Sequence, residues 1–143
     1  MARLTDLRPS RTVVAGYDGS DAARRALIRG AEAAGSHGRV VVVTAVQPPD
    51  TLAPHDDEIA SSPADPKRLI AEARELLREH DLDVSTHIAD GDPADVLATT
   101  AAETDAALIV VGARGNSYPA RALRGSVGER LVARAGCDLL VAR

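Results

Sequence analysis

The chain has 143 residues, which is enough for one domain with a substantial hydrophobic core. Its formal charge of −4 argues against broad electrostatic binding to nucleic acid or to an anionic membrane. Phe and Trp are absent and only two Tyr occur, so the core must consist of Val, Leu, Ile and Ala. Recognition of a planar ligand by aromatic stacking is therefore largely excluded, and backbone groups and aliphatic side chains would have to serve instead.

The single cysteine, Cys137, excludes an intrachain disulfide and suits a reducing compartment. Residues 1–10 are polar, lack the apolar segment of a signal peptide and are expected to form a flexible tail. No apolar run approaches membrane-spanning length. We therefore expect a cytoplasmic protein that has neither nucleic acid nor a membrane as a partner, with one domain over residues 11–143.

The first third of the chain predicts a strand, a helix and a second strand. Residues 12–16 form a short β-branched run. Residues 17–20 favour a turn, and Ser20 can cap a helix whose apolar residues recur at helical spacing until Gly35 ends it. Residues 40–46 are almost continuously apolar, which favours a strand that is buried on both faces.

The middle of the chain begins with a Pro-rich stretch. Residues 47–66 contain five Pro among Asp and Ser clusters, and we expect a mobile loop there. Asp65 can cap a second helix that has Pro66 at its first position. Residues 84–88 predict a third strand, and Asp92 can cap a third helix.

The last part of the chain predicts two strands with a helix between them. The strands are expected over residues 107–111 and 139–142. Residues 126–129, Ser-Val-Gly-Glu, match the capping-box pattern, so the fourth helix should begin at Ser126 and end at Gly136. Its apolar stripe is expected to comprise Val127, Leu131, Val132 and Ala135.

Strands that alternate with helices predict an α/β domain, an open five-stranded parallel sheet with helices on both faces. If the strand order is 3-2-1-4-5, it reverses between strands 1 and 4, and ligands of such sheets bind beyond the carboxyl ends of the strands at that reversal. Asp18 follows strand 1 and Gly112 follows strand 4. Both residues are therefore expected at one crevice, although more than ninety residues separate them.

A glycine pattern, Gly112-x2-Gly115-x9-Gly125-Ser126, joins the fourth strand to the fourth helix. Glycines allow close approach of backbone amides, and a helix N-terminus favours anions, so the pattern suggests a phosphate site. It is not a Walker A motif, since the chain's only Lys is Lys67, and it is not a Gly-x-Gly-x-x-Gly fingerprint. Five Arg and one acidic residue between Gly112 and Gly136 give this stretch a local charge of +4.

Two of the polar candidates have a purely structural alternative. Ser126 can cap the fourth helix together with Glu129 or can bind phosphate, and both interpretations stay open. Asp18 can bond its own turn, or it can accept from ribose hydroxyls or approach a phosphate-bound metal. The four His are scattered without metal-ligand spacing and receive no role. Cys137 is interpreted as a packing residue.

These residues together resemble the nucleotide-binding branch of the universal stress protein family, from about Arg11 to Arg143. The glycine pattern matches that branch's Gly-x2-Gly-x9-Gly-Ser/Thr motif in its full spacing. Residues 13–20, Val-Val-Ala-Gly-Tyr-Asp-Gly-Ser, look like the family's first strand and acidic turn. Residues 91–94 and 137–141 are similar to further family signatures.

The resemblance implies a Rossmann-like fold of the adenine nucleotide alpha hydrolase type and a homodimer formed through the C-terminal strand. It also implies ATP as the ligand, alone or with Mg²⁺. Asp18 would lie at the ribose, and Ala45 would present backbone groups to adenine. The full set of implied ATP-binding residues is Asp18, Ala45, Gly112, Gly115, Asn116, Gly125, Ser126 and Val127.

The chain departs from the family pattern at three places. Val111 stands where the family often has Met. Residues 116–119, Asn-Ser-Tyr-Pro, take an unusual course through the phosphate loop, and Pro119 removes one amide donor. Asp138 replaces a common Pro before the last strand, which leaves the dimer geometry open.

The function expected from the sequence is that of an ATP-binding regulatory module of the stress response. No catalytic residue is assigned, because the chain shows no general base or nucleophile and lacks the Ser-Gly-Gly-x-Asp-Ser and His-x-Gly-His motifs of related enzymes. Slow ATP hydrolysis at the same site is the alternative, with Asp18 as a metal-holding residue. A pure interaction protein, in which the glycine pattern is only a turn and a cap, is the third hypothesis.

Overall fold

Five short runs of β-branched and apolar residues pair into one parallel sheet in a computed structural model that describes residues 11–46, 65–113 and 127–143. The strands are β1 (Thr12–Gly16), β2 (Arg39–Val46), β3 (Asp83–Asp90), β4 (Leu108–Gly112) and β5 (Asp138–Ala142). Their order is β3-β2-β1-β4-β5, and all neighbours are parallel. The predicted fold class and strand order are confirmed.

Four helices connect the strands. They are α1 (Asp21–Ala34), α2 (Pro66–Leu77), α3 (Pro93–Glu103) and α4 (Val127–Arg134). The three predicted Asp and Ser caps in the described ranges are confirmed. Ser20 Oγ accepts from Ala23 N at 3.1 Å, Asp65 Oδ1 from Lys67 N at 3.0 Å, and Asp92 Oδ2 from Asp95 N at 3.2 Å. Each cap satisfies one otherwise unpaired amide of a helix's first turn.

The helices cover both faces of the sheet, and the core is divided accordingly. Val40 and Val42 of β2 point into the core under α1 and α2, whereas Val41 and Val43 point into the core under α3 and α4. All four side chains are buried, because successive residues of a strand face opposite sides. The continuously apolar run of β2 is thus explained by a central strand with no solvent-facing side.

Two sequence predictions need correction. The third strand is longer than the predicted 84–88, because β3 pairs with β2 residue by residue from Asp83 to Asp90. Val132 does not belong to the buried stripe of α4, since it is 73% exposed while Leu131 is fully buried. One residue advances about 100° around a helix, and α4 packs along the side that carries Val127 and Leu131, with Ala135 just beyond its last residue.

Several predictions lie outside the described residues. The tail over residues 1–10 and all but the last two residues of the Pro-rich stretch 47–66 fall there. The same holds for Gly115, Asn116, Gly125 and Ser126, so the start of α4 is described only from Val127 onward.

The end of β4 approaches the first turn of α1 so closely that no side chain fits between them. A Cβ atom at Gly112 would lie 2.6 Å from Ala23 N and 2.7 Å from the carbonyl carbon of Ala22. Both neighbours are backbone atoms, which cannot rotate away as a side chain can. Gly112 is therefore required by helix–strand packing, whatever else it does.

We expect Gly112→Ala to lower the free energy of unfolding by roughly 1–3 kcal/mol, because the added methyl group forces α1 and β4 apart. Equilibrium urea unfolding measures this loss. Gly136→Ala is the matched control, since a Cβ there meets no atom within 4 Å and its φ is not left-handed. Equal stability losses in the two variants would contradict the packing explanation.

Candidate functional site

The reversal of strand order lies at β1, which has β2 on one side and β4 on the other. The β1–β4 pairing runs from Val13↔Leu108 to Ala15↔Val110, so the carboxyl ends of both strands meet at one edge of the sheet. Asp18 lies just after β1 and Gly112 closes β4. Asp18 and Gly112 therefore lie at the edge formed by the carboxyl ends of β1 and β4, as the sequence predicts.

Asp18 forms the turn between β1 and α1. It is half-buried, and its Oδ1 accepts from Ser20 N at 2.9 Å. Gly19 follows with a φ of +83°, a left-handed conformation that favours glycine. The turn interpretation of Asp18 is therefore confirmed. A carboxylate can accept several hydrogen bonds at once, so a turn bond and a ligand bond on Asp18 are compatible.

Ala45 lies near the end of β2, beyond the paired part of β1. Among the described residues the β1–β2 register ends at Gly16↔Val43, and one more backbone bond follows, from Tyr17 N to Val43 O at 2.9 Å. Val46 O accepts from Gly91 N on the β3 side. Since backbone groups of successive residues alternate between the two neighbours of a strand, the N–H and C=O of Ala45 face the β1 side.

Of the remaining predicted site residues, Val127 alone lies in the described ranges. Val127 is the first described residue of α4 and packs, partly buried, against the core under α3 and α4. Just past Gly112, Ala113 N donates to Ala142 O of β5 at 2.6 Å. The structure thus brings together the residues expected at base and ribose, whereas most of those expected at the phosphates fall in residues 114–126, outside the described ranges.

A cluster that the sequence analysis missed lies beside the Asp18 turn. Tyr17 is buried, and its hydroxyl donates to Glu72 Oε1 on α2. Arg24 on α1 donates through Nε to the same oxygen at 3.0 Å and also pairs with Asp21 at 3.1 Å. The cluster ties α2 and α1 to the end of β1. Its sequence signal is weak, because the partners are 48 and 55 residues apart.

The protonation states of Tyr17, Glu72 and Arg24 depend on one another. Burial raises the pKa of Tyr17 to about 12, and the hydrogen bond to Glu72 contributes to the increase. The same hydrogen bond, followed by those from Arg24, holds the pKa of Glu72 below its usual value. Arg24 has a raised pKa from its bonds to Tyr17 and Glu72. At neutral pH the phenol is therefore protonated, and the other two groups are ionised.

Two of the five arginines behind the local positive charge are engaged in ion pairs. Arg130 pairs with Asp92, and Arg134 pairs with Asp95, which joins α4 to the first turn of α3. Neither arginine is simply solvated, and neither adds uncompensated charge beside the glycine pattern. Any excess of positive charge at the phosphate motif must come from Arg114, Arg121 and Arg124, which lie outside the described residues.

Other candidate chemistry is sparse in the part of the chain that the structure describes. It contains no group of three or more His, Cys, Asp or Glu suited to a metal ion, and none of its helices is long and apolar enough to cross a membrane. Cys137 is half-buried, and burial raises the pKa of its thiol, as expected for a packing residue. Two surface depressions, both of which include His80 in their lining, lie at the C-terminal ends of α1 and α2.

We expect the phenol of Tyr17 to titrate near pH 12 in the folded protein. Its folded pKa exceeds the ordinary value of 10.0, so its contribution to stability is complete below pH 10 and is lost as the pH rises toward 12. Absorbance at the phenolate band measures this in Tyr118→Phe, which leaves Tyr17 as the only tyrosine.

Adding Glu72→Gln to that variant should lower the Tyr17 pKa, because the carboxylate partner is lost while burial remains. Circular dichroism at each pH establishes that the protein is still folded. A titration midpoint near pH 10 in the folded Tyr118→Phe protein would contradict the assigned environment.

Comparison with known proteins identifies relatives over nearly the whole chain. The model of the universal stress protein family matches residues 9–143. A universal stress protein of Mycobacterium tuberculosis strain H37Rv is 33% identical, in an alignment that covers 92% of this chain and 94% of that protein. The family match spans all the strands and helices described above.

Two solved structures are similar in fold and in sequence. A universal stress protein in complex with cAMP has a TM-score of 0.71 and 29% identity, covering 93% of this chain and 97% of that chain. The universal stress protein of Archaeoglobus fulgidus in complex with dAMP has a TM-score of 0.66 and 26% identity, covering 94% and 98%. The family match over residues 9–143 and the shared fold show that the chain belongs to the universal stress protein family.

Proposed function

We propose that this protein is an ATP-binding module that regulates a stress response through its nucleotide occupancy. The observation that carries the proposal is the juxtaposition, at the carboxyl edge of β1, of the Asp18 turn and the β1-facing backbone of Ala45. The edge is the topological switch point of the sheet, where ligands of this architecture bind.

Ala45 is suited to recognise adenine. Its N–H and C=O lie on the same side of β2, and adenine presents an acceptor next to its amino donor. A donor and an acceptor on one backbone residue can therefore pair with that edge of the base. The chain's lack of Phe and Trp favours such backbone recognition. The relatives in complex with cAMP and dAMP support an adenine nucleotide as the ligand class.

Asp18 is suited to the ribose. Its carboxylate is held by the hydrogen bond from Ser20 N. A carboxylate can also accept hydrogen bonds from the ribose hydroxyls, which apolar side chains cannot do. The phosphates would then be surrounded by Gly112, Gly115, Asn116, Gly125, Ser126 and Val127, an assignment that rests on the glycine pattern of the sequence.

A divalent cation would enter this site with the nucleotide. Of the described residues assigned to the site, Asp18 is the one carboxylate. Mg²⁺ binds through one or two carboxylates, water and substrate phosphates. A single carboxylate is therefore only part of its ligand set. We therefore propose ATP as the ligand, with Mg²⁺ held mainly by its phosphates when present. The residues carry no assigned nucleophile or base, which favours a binding role over hydrolysis.

The proposed assembly is a homodimer through β5. Among the described residues β5 pairs with β4 alone, and Val141 on this strand is 47% exposed. A second copy seated along β5 would satisfy the outer backbone groups of this edge strand and cover Val141. Nucleotide binding at β1 and β4 would leave that outer edge accessible.

We expect isothermal titration calorimetry to show one ATP bound per chain in nucleotide-free protein, and mass spectrometry to detect adenine nucleotide released from denatured protein. The bound ATP should persist for hours, because no general base is assigned. Absence of both binding heat and thermal stabilisation by ATP would refute the proposal. Multiple turnover that is lost in Asp18→Ala, with binding retained, would instead establish the alternative of a slow ATP hydrolase.

We expect Gly125→Val to weaken ATP binding more than Ser126→Ala does. The branched side chain would fill the space where phosphate meets the backbone, at a cost on the order of a hundredfold in affinity. Loss of the Ser126 hydroxyl removes about one hydrogen bond, which corresponds to about two- to tenfold. Equal losses, measured by calorimetry, would contradict a backbone phosphate seat.

A further inference from the structure

We propose that Thr44 is a positioning residue that sets the distance between the adenine-facing backbone of Ala45 and the ribose-facing carboxylate of Asp18. The proposal deepens the proposed function and rests on it. Thr44 Oγ1 donates to Tyr17 O at 3.1 Å, from the strand that carries Ala45 to the segment that carries Asp18.

Thr44 stands out among the buried polar residues. Ser20, Thr44 and Thr100 are the three such side chains in the described ranges. Ser20 caps its own helix, and Thr100 Oγ1 bonds Val96 O within α3. Of these three hydroxyls, only that of Thr44 forms a hydrogen bond from one strand to the segment that follows another strand. A hydroxyl is costly to bury where four Val precede it, so its hydrogen bond must compensate.

The hydrogen bond acts directly on the two neighbouring residues. The carbonyl of Tyr17 belongs to the planar peptide group that contains the nitrogen of Asp18, so holding this oxygen orients the start of the Asp18 turn. On the other side, the carbonyl carbon of Thr44 is bonded to the nitrogen of Ala45. One side-chain bond therefore spans the two elements that are proposed to hold the nucleoside.

The position of the bond in the sheet explains why a side chain is needed. Among the described residues, the last backbone bond between β2 and the segment that follows β1 runs from Tyr17 N to Val43 O, and beyond it the chain turns away at Gly19. The Thr44 hydroxyl takes the place of the next ladder bond. Its own backbone is fixed by the pairing of β2 with β3, where Thr44 lies opposite Ile88.

We expect Thr44→Val, which keeps the shape but removes the hydroxyl, to weaken ATP binding about tenfold. Thr44→Ser keeps the donor and should remain within about twofold of the unchanged protein. Thr100→Val is the matched control, because it removes a buried hydroxyl from α3 without touching the β1 edge. It should lower the unfolding temperature and leave the ATP dissociation constant unchanged.

A comparison of two ligands separates a positioning role from a general loss of rigidity at the site. With 2′,3′-dideoxy-ATP, which has no ribose hydroxyls for Asp18, the Thr44→Val penalty should shrink to less than about twofold. The same loss of the penalty is expected for ATP in the Asp18→Asn background. If Thr44→Val does not fold, Thr44→Ala replaces it in the comparison with Thr44→Ser.

The outcomes distinguish the two proposals. If the unchanged protein does not bind ATP, the proposed function fails. If it binds ATP and Thr44→Val binds equally well, the proposed function stands and the positioning role is wrong. An equal penalty for ATP and 2′,3′-dideoxy-ATP would also overturn the positioning role, because the loss would then not depend on the ribose contact.

Discussion

The central constraint on this molecule is that β1 is shorter than the strand beside it. β2 runs eight residues and β1 five, so the two strands separate at their carboxyl ends while β2 continues against β3. Backbone groups of β2 that would have paired with β1 are thereby directed at the switch point. The Thr44 hydroxyl and the Asp18 turn stabilise the chain where the ladder stops.

The small residues of α1 allow this edge to be compact. The buried side of the helix consists of Ala, Gly and one Leu, so its axis lies close to β1 and β4. A Cβ at Gly30 would come within 2.9 Å of Val110, which shows how little space separates helix and sheet. The same closeness brings the capped N-terminus of α1, with Ser20, beside the end of β4. A core without Phe or Trp is therefore compatible with tight packing rather than a sign of a loose interior.

Much of the fold could be predicted from the sequence, because strand periodicity, Asp and Ser caps and glycine stops are local signals. The position of Asp18 and Gly112 at one edge of the sheet could also be predicted, since alternation of strands and helices restricts the topology.

Pairings between distant side chains could not be predicted from the sequence. Nothing near Tyr17 indicates Glu72 as its partner, and nothing in α4 marks Arg130 for Asp92. Thr44 looked like one more strand residue, and Val132 looked buried because apolarity alone does not say which side of a helix is covered.

The close contact between Gly112 and the first turn of α1 changes how a sequence motif of this kind should be used. We expect a glycine imposed by packing to persist in relatives that bind no nucleotide, because its loss would destabilise the fold itself. Its presence is therefore poor evidence for a ligand when sequences are compared. The other positions of the motif, Gly115, Gly125 and Ser126, should therefore carry more weight than Gly112 in such a comparison. A search that weights the motif's positions equally would overcount nucleotide binders among proteins with this sheet.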